Sequence, residues 1–409
     1  MGGYGDVNLK TIKMNFWHDI PRPIIGLSPM DGVTDASFRY ITAKHGGPDV
    51  TLTEFVNIQS ALYSPHTLLK DFTYSAIERP VVAQIYGKTP ELFYKVAHLV
   101  CELGFDGLDI NMGCPAKKVA ASGCGAALIR TPALAREIIR AAQQGIKDWQ
   151  GGRSLTDLGF GGDVVEQINA ANRRRNAETE LLQRRRIPVS IKTRLGYDRN
   201  VIEEWLSTLL SERPAAISLH GRTLEQGYKG DADWNAIARA VRVAAGSGVL
   251  ILGNGDVQDM RDAYRRVRQT GVDGVLIGRG AQGDPWLFRE KEAIKRALRG
   301  DGELMLHGAP VGLEERFRVV IEHCELFERL SGVARFVAMR KHLTWYCRNF
   351  RGAAEMRARL TRANNAAEVR RGLTEFMASA PNDIARPSIC LAESRSSEVF
   401  RAESSLSCD

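Results

Sequence analysis

The sequence predicts an α/β fold, a (β/α)8 TIM barrel followed by a C-terminal all-helical domain. Three observations predict it. From residue 22 onward a unit repeats eight times: a short apolar run, then Gly/Pro/Asn punctuation, then an amphipathic helical stretch. Polar residues cluster at or just past the C-terminal end of each run, the face on which barrel enzymes do chemistry. After about residue 298 the alternation stops and only helical spacing remains. A doubly wound sheet is the competing architecture. It usually has fewer strands and carries a GxGxxG fingerprint near its first turn, whereas the first turn here reads SPMDGVTD.

Residues 1–21 form a loosely patterned lead-in, and the barrel spans 22–298. The predicted strands are 24–28, 50–53, 80–86, 107–111, 189–193, 216–220, 249–253 and 274–278. Helical patterns lie between them. After the third run, Leu92, Val96, Leu99 and Leu103 share one face, with Thr89 as N-cap, Pro90 at the first helical position and Gly104 as the stop. An insertion at about 147–187 interrupts the regularity, since an ordinary connection there would be a few residues. It carries Arg173, Arg174, Arg175 and Arg184, Arg185, Arg186, which fit either a solvated insertion or an arm that touches phosphates. Residues 299–378 form a helical domain that reads as all helix over 313–378, with Phe317, Val320, Ile321, Cys324 and Phe327 on one side of its first helix. Over 316–371, thirteen Lys and Arg face five Glu, an excess of eight, interleaved with Trp345, Tyr346 and Phe350. That pattern leans toward an RNA backbone. Residues 379–409 form a tail, Ser-rich from Pro381, with the composition of a disordered segment.

Composition is ordinary for a globular chain, 44% hydrophobic and 25% charged. The net charge of +8 favours an anionic partner. Seven cysteines without a CxxC pair suggest neither a metal site nor a disulfide framework, and fit a reducing compartment. With no apolar signal core and no run of 18 apolar residues, the expectation is a soluble, cytoplasmic, monomeric protein.

The densest chemistry lies in GLDINMGCPAKKVAASGCG, residues 107–125. Leu108 and Ile110 flank Asp109, as on a strand with one face in a core. Gly113 and Pro115 break that strand, so Cys114 sits in a turn at its end, presented rather than packed. The loops after strands seven and eight, Asn254-Gly255-Asp256 and Gly278-Arg279, bring small residues and a guanidinium where barrels commonly hold a phosphate. Gln84, Lys192 and His220 come from strands three, five and six and surround whatever that phosphate is attached to. A lysine deep in a barrel mouth must meet negative charge. A flavin ring fits: reduced, it is anionic near N1 and the C2 oxygen, and Gln84 offers both donor and acceptor to its imide edge.

The strings SPMDGVTD, VVAQIYG, DINMGCPAKKV, GCGAAL, SIKTRLG, HGRTLEQGYKG, GNGDV and IGRGAQGDPWLF resemble the tRNA-dihydrouridine synthases, in family order and over about residues 22–376. The helical string RKHLTWY resembles the bacterial members and their B-type subgroup. The resemblance implies an FMN-containing barrel, a helical tRNA-binding domain and NADPH as reductant. It implies Pro29 and Met30, with Asp31 beside them, over the flavin. It implies Gln84, Lys192, His220, Asn254, Gly255, Asp256, Gly278 and Arg279 as further FMN contacts. It implies Cys114 as the catalytic acid and Asn111 on the uridine side, with Lys117, Arg194 and Arg222 toward the RNA. The reaction implied is reduction of a flipped-out tRNA uridine to 5,6-dihydrouridine, with hydride from flavin N5 to C6 and a proton from Cys114 to C5. Two other readings stay open at this point: an FMN-dependent dehydrogenase of a free pyrimidine, and a non-catalytic tRNA-binding protein.

Overall fold

The computed structural model describes residues 15–63, 69–176, 184–306 and 311–379. The expected tail beyond 379 and most of the lead-in lie outside the described residues. Eight strands close into one parallel barrel in chain order. They are β1 (Ile24–Leu27), β2 (Thr51–Asn57), β3 (Val81–Tyr86), β4 (Gly107–Met112), β5 (Val189–Arg194), β6 (Ala216–His220), β7 (Leu250–Asn254) and β8 (Gly274–Ile277). Closure is between β8 and β1, from Ile24 opposite Gly274 to Leu27 opposite Ile277. The eight apolar runs of the sequence are these eight strands. The one irregularity is in β2, whose register against β3 shifts between Leu52 and Phe55.

Alternation along each strand sorts the interior into layers. At the N-terminal end, Ile24, Leu52, Val82, Ala216, Leu250, Leu252 and Leu276 form an apolar plug, closed from below by Trp17 of the short helix Phe16–Asp19. Above it lies a polar layer: Gln84, Asp109, Ser190, Lys192, Ser218 and Asn254. All six residues of β4 are buried, so the expectation that its strand buries one face needs correcting. A barrel strand has an inner face packed in the lumen and an outer face under helices, so neither meets water.

The helix Pro90–Glu102 shows why sequence reading works where propensity and burial agree. Pro90 stands at its first position after Thr89, and Phe93, Val96 and Leu99 are buried. The C-terminal helical region builds its own core. Helix Leu313–Ser331 turns Phe317, Val320, Cys324 and Phe327 toward Phe336, Met339, Leu343 and Tyr346. Its opposite side sets Val319 and Leu326 against Ile41 and Trp286 of the barrel. Polar clamps border this contact: Lys44 donates to Glu322 at 2.6 Å, and Trp286 Nε1 donates to Glu315 at 3.1 Å.

The aromatic residues expected to meet RNA are packed instead. Tyr346 is buried and its hydroxyl lies 3.1 Å from His323 Nδ1. Phe350 packs edge-on against Phe317 and Phe376. Trp345 lies on the barrel: a Cβ at Gly283 (φ +71°) would come 2.3 Å from the Trp345 carbonyl oxygen, so only glycine fits there.

The insertion contains helix Gly162–Asn176 and docks at the N-terminal end of the barrel. Val164 and Ile168 enter the outer core. Arg184 donates to the Trp149 carbonyl at 2.6 Å and lies over its ring, and Arg185 pairs with Asp106, just ahead of β4. Arg173 pairs with Glu166 on its own helix. None of these described arginines lines the mouth of the barrel. Among the described residues no helix is long and apolar enough to cross a membrane.

Candidate active site

The C-terminal ends of the strands open into a cavity of about 980 Å³. Its wall includes Pro29, Met30, Asp31, Gln84, Asn111, Cys114, Lys117, Lys192, Arg194, His220, Asn254, Gly255, Asp256, Gly278 and Arg279. Residues scattered over 250 positions converge because they stand in the C-terminal halves of the strands or in the loops that follow. Arg222 differs. It is buried behind the wall, donating to Asp256 at 2.6 Å and reaching His220 Nε2 at 3.3 Å. Its guanidinium is committed to the protein, so it braces two wall residues rather than facing the cavity.

Cys114 is 6% exposed, held in a turn whose other face is the cavity. Two side chains pin that turn. Asn111 Oδ1 accepts from the backbone N–H groups of Gly113 at 3.1 Å and Cys114 at 2.9 Å. Arg194 Nε donates to the Gly113 carbonyl at 2.7 Å, while its Nη1 donates to the Thr223 carbonyl at 2.9 Å. Both residues line the cavity, yet their polar atoms chiefly hold the Cys114 turn in place. Burial pushes the Cys114 thiol above its ordinary range, so it keeps its proton at neutral pH.

Deeper in, Gln84 is fully buried. Its Nε2 donates to Asp109 at 2.7 Å and its Oε1 accepts from Asn111 Nδ2 at 3.0 Å. One N–H and one lone pair of that amide remain. Lys192 donates to Asn254 Oδ1 at 3.1 Å, its one hydrogen bond among the described residues. Desolvation lowers it to about 8, with the positive charge of Arg194 adding to the effect. An ammonium with three protons and one acceptor has room for an anionic ligand. His220 is neutral, driven far below its usual range by desolvation and by the positive charges of Lys192, Arg194, Arg222 and Arg279. Since Arg222 donates toward its Nε2, the proton resides on Nδ1.

The loops after β7 and β8 form the rim. Gly255 has φ +124°, and a Cβ there would stand 2.7 Å from the Cβ of Ala232. Asp256 sits between Arg222 and Arg279, which donates at 2.8 Å. Burial would raise this carboxyl, but the Arg222 hydrogen bond and the two guanidinium charges hold it below its usual value. Asp256 thus positions the two arginines instead of confronting an anion. The exposed Arg279 side chain lies over the ring of Tyr228, 5.4 Å from its centroid.

Two wall or floor residues were not singled out by sequence. Asp109 was visible only as an acid in a strand, and periodicity does not say which face is the lumen. Tyr228 is 64% exposed at the rim, in a loop that sequence read only through His220 and Arg222. Glu54, one of the polar residues the sequence places at a strand end, lies within the longer β2 and off the cavity wall, pushed up to about 7 by burial and by the nearby charge of Asp35.

The donor set suits an anionic cofactor: spare amide and ammonium capacity at the floor, and glycines and Arg279 at the rim. Among the described residues no three His, Cys, Asp or Glu gather as metal ligands. Fold and site together define a (β/α)8-barrel enzyme whose mouth is built for an anionic ligand.

The comparisons narrow this. The family model described as Dihydrouridine synthase (Dus) matches residues 26–148 and 169–381. "Probable tRNA-dihydrouridine synthase 2" of Bacillus subtilis (strain 168) is 33% identical over 369 residues, 88% of this chain and 96% of that one. "Probable tRNA-dihydrouridine synthase" of Staphylococcus aureus (strain MRSA252) is 31% identical over 380 residues, 91% of this chain and 99% of that one. The chain belongs to the dihydrouridine synthase family. The break in the family match, 149–168, falls inside the insertion. A solved DHODH structure from Eimeria tenella superposes with a TM-score of 0.45 at 14% identity, over 69% of this chain and 82% of that one.

Proposed function

We propose that this protein reduces specific uridines of tRNA to 5,6-dihydrouridine, using FMN and NADPH, with Cys114 as the general acid. The observation that carries the reading is a protonated thiol in a pinned turn on the wall of a cavity whose floor has unused donors. Gln84 and Lys192 would meet the flavin ring, and Asn254, Gly255, Gly278 and Arg279 its phosphate end, with Pro29 and Met30 alongside. Bound FMN, reduced by NADPH, supplies the hydride that reaches C6 of uracil.

The chain's own residues do the rest. Cys114 gives its proton to C5, and its turn cannot drift because Asn111 and Arg194 fasten it from two strands. Asn111 keeps one N–H for the base edge. Lys117 is exposed at the rim, where it meets RNA phosphates. The base must leave its stack to enter a cavity of this depth. Arg329, Arg335, Arg351, Arg362 and Arg371 have no side-chain hydrogen bond or ion pair within the described residues, and supply the charge for an RNA backbone. Such an enzyme works in the cytoplasm, where tRNA is found.

The test is direct. Purified protein should carry flavin and form dihydrouridine in unmodified tRNA with NADPH, but not turn over free uracil or orotate. Efficient turnover of the free pyrimidine, with none on tRNA, would replace this reading by the small-substrate one.

A further inference from the structure

We infer that Asp109 is a positioning residue, which fixes the orientation of the Gln84 amide beneath the flavin ring and, through Asn111, the turn that carries Cys114. The inference rests on the flavin reading of the cavity given above.

Asp109 stands on β4 with its side chain in the lumen, 1% exposed. Its Oδ2 accepts from Gln84 Nε2 at 2.7 Å and its Oδ1 accepts from Ser190 Oγ at 2.6 Å. An ionised carboxylate only accepts, so the NH₂ end of Gln84 must face it. That leaves Gln84 Oε1 to accept from Asn111 Nδ2 at 3.0 Å. Asn111 Oδ1 is then free to accept from the backbone N–H groups of Gly113 and Cys114. Backbone N–H groups only donate, so the chain has one polarity from end to end. Its two termini, a carboxylate and a peptide N–H, cannot be exchanged. Without the carboxylate, the polarity at the flavin end is held only from the far end, through Asn111. Burial pushes Asp109 up to about 6, which still leaves it ionised at neutral pH, and its charge opposes that of Lys192 across the floor.

Two consequences follow for Asp109→Asn. The new amide can donate as well as accept, so only the Asn111 end still holds the Gln84 orientation, and the Gln84–Asn111 pair is less firmly fixed. The positive field of Lys192 also goes unopposed. A reduced, anionic flavin is then favoured more strongly.

The experiment measures the visible spectrum and reduction potential of bound flavin in wild type, Asp109→Asn and Ser190→Ala, together with dihydrouridine formation. Asp109→Asn should keep its flavin, show displaced absorption bands and a more positive potential, and lose roughly 10–100-fold in tRNA turnover through the displaced acid. Ser190→Ala removes one hydrogen bond from the carboxylate and should move the potential the same way by less. A flavin-loaded Asp109→Asn protein with wild-type bands, potential and turnover overturns the role of Asp109 and leaves the flavin reading standing. If Asp109→Asn does not fold, a Ser190→Ala potential coincident with wild type overturns it equally. A wild-type protein that takes up no flavin overturns both.

Discussion

The two ends of the barrel use charge in opposite ways. At the N-terminal end, three aspartates stand just ahead of even-numbered strands and accept from N–H groups near the start of their odd-numbered neighbours: Asp49 from Ile25 at 2.8 Å, Asp106 from Val81 at 2.8 Å and Asp273 from Ile251 at 2.9 Å. Each is also paired with a cation, Asp49 with Lys291 and Lys295, Asp106 with Arg79 and Arg185, Asp273 with Arg22. Each of these charges thus has both a backbone donor and a cation. At the C-terminal end Lys192 has one partner, Gln84 keeps a donor and an acceptor, and a thiol holds its proton at the cavity wall. Saturated charge stitches strands together, while unsaturated capacity marks where a ligand belongs.

The sharpest way to break this contrast is at Cys114. A positioned general acid contributes roughly 10²–10⁴ in rate. Cys114→Ala should therefore lose dihydrouridine formation by that factor, yet keep bound flavin and NADPH oxidation in the absence of tRNA. Product formation at the wild-type rate would remove the acid from the mechanism.

The opposite end should respond in stability alone. Lys295 is 1% exposed and pairs with Asp49. Removing one member of a buried pair costs about 3–5 kcal/mol. Asp49→Ala should lower the unfolding midpoint in urea accordingly, with turnover per folded molecule unchanged. A large loss of turnover in the folded fraction would mean that the lower end is not merely structural. Lys192→Met makes the complementary cut. Replacing an under-partnered ammonium should leave the apoprotein as stable as before, or more so, while flavin is lost on gel filtration. Full retention of flavin there would argue against the ammonium as its partner.

A smaller effect should follow pH. Lys192 titrates near 8, lowered from 10.5, so it is charged below that pH and neutral above it. An anionic ligand prefers the charged form. The apoprotein's affinity for reduced FMN, whose ring is anionic, should thus be flat below pH 8 and fall above it, by at most about tenfold per pH unit. An affinity that is level from pH 7 to 10 would reassign the anion's partner.

Much of this was legible in the chain. Eight apolar runs located eight strands, because a parallel barrel buries whole strands and writes them as apolar blocks between turn residues. The mouth was legible because strand ends are places in sequence as well as in space. Asp109 was not, since its partners Gln84 and Ser190 lie on neighbouring strands and only register brings them together. Trp345, Tyr346 and Phe350 misled for a related reason: an aromatic beside arginines looks alike whether it packs inward or faces RNA. In the helical region several of those arginines also serve the fold, as when Arg316 donates to the Arg348 carbonyl at 2.7 Å and Arg357 to the Cys347 carbonyl at 2.9 Å.

The insertion gives the finest test, because it sets equal charges in unequal places. Arg184 and Arg185 are held against Trp149 and Asp106 at the closed end of the barrel, a strand's length from the cavity. Arg335 and Arg351 make no such side-chain contacts within the described residues. Losing a true phosphate contact lowers the salt slope of RNA binding by roughly one unit per contact. The double variant Arg335→Ala, Arg351→Ala should weaken tRNA binding and flatten its dependence on salt. Arg184→Ala should change tRNA affinity less than about twofold and leave that slope intact, since an arginine already bonded to backbone carbonyls displaces no counterion from RNA. A slope that drops for Arg184→Ala would mean that tRNA wraps past the mouth to the far end of the barrel, and that pairing within the protein does not disqualify an arginine from binding RNA.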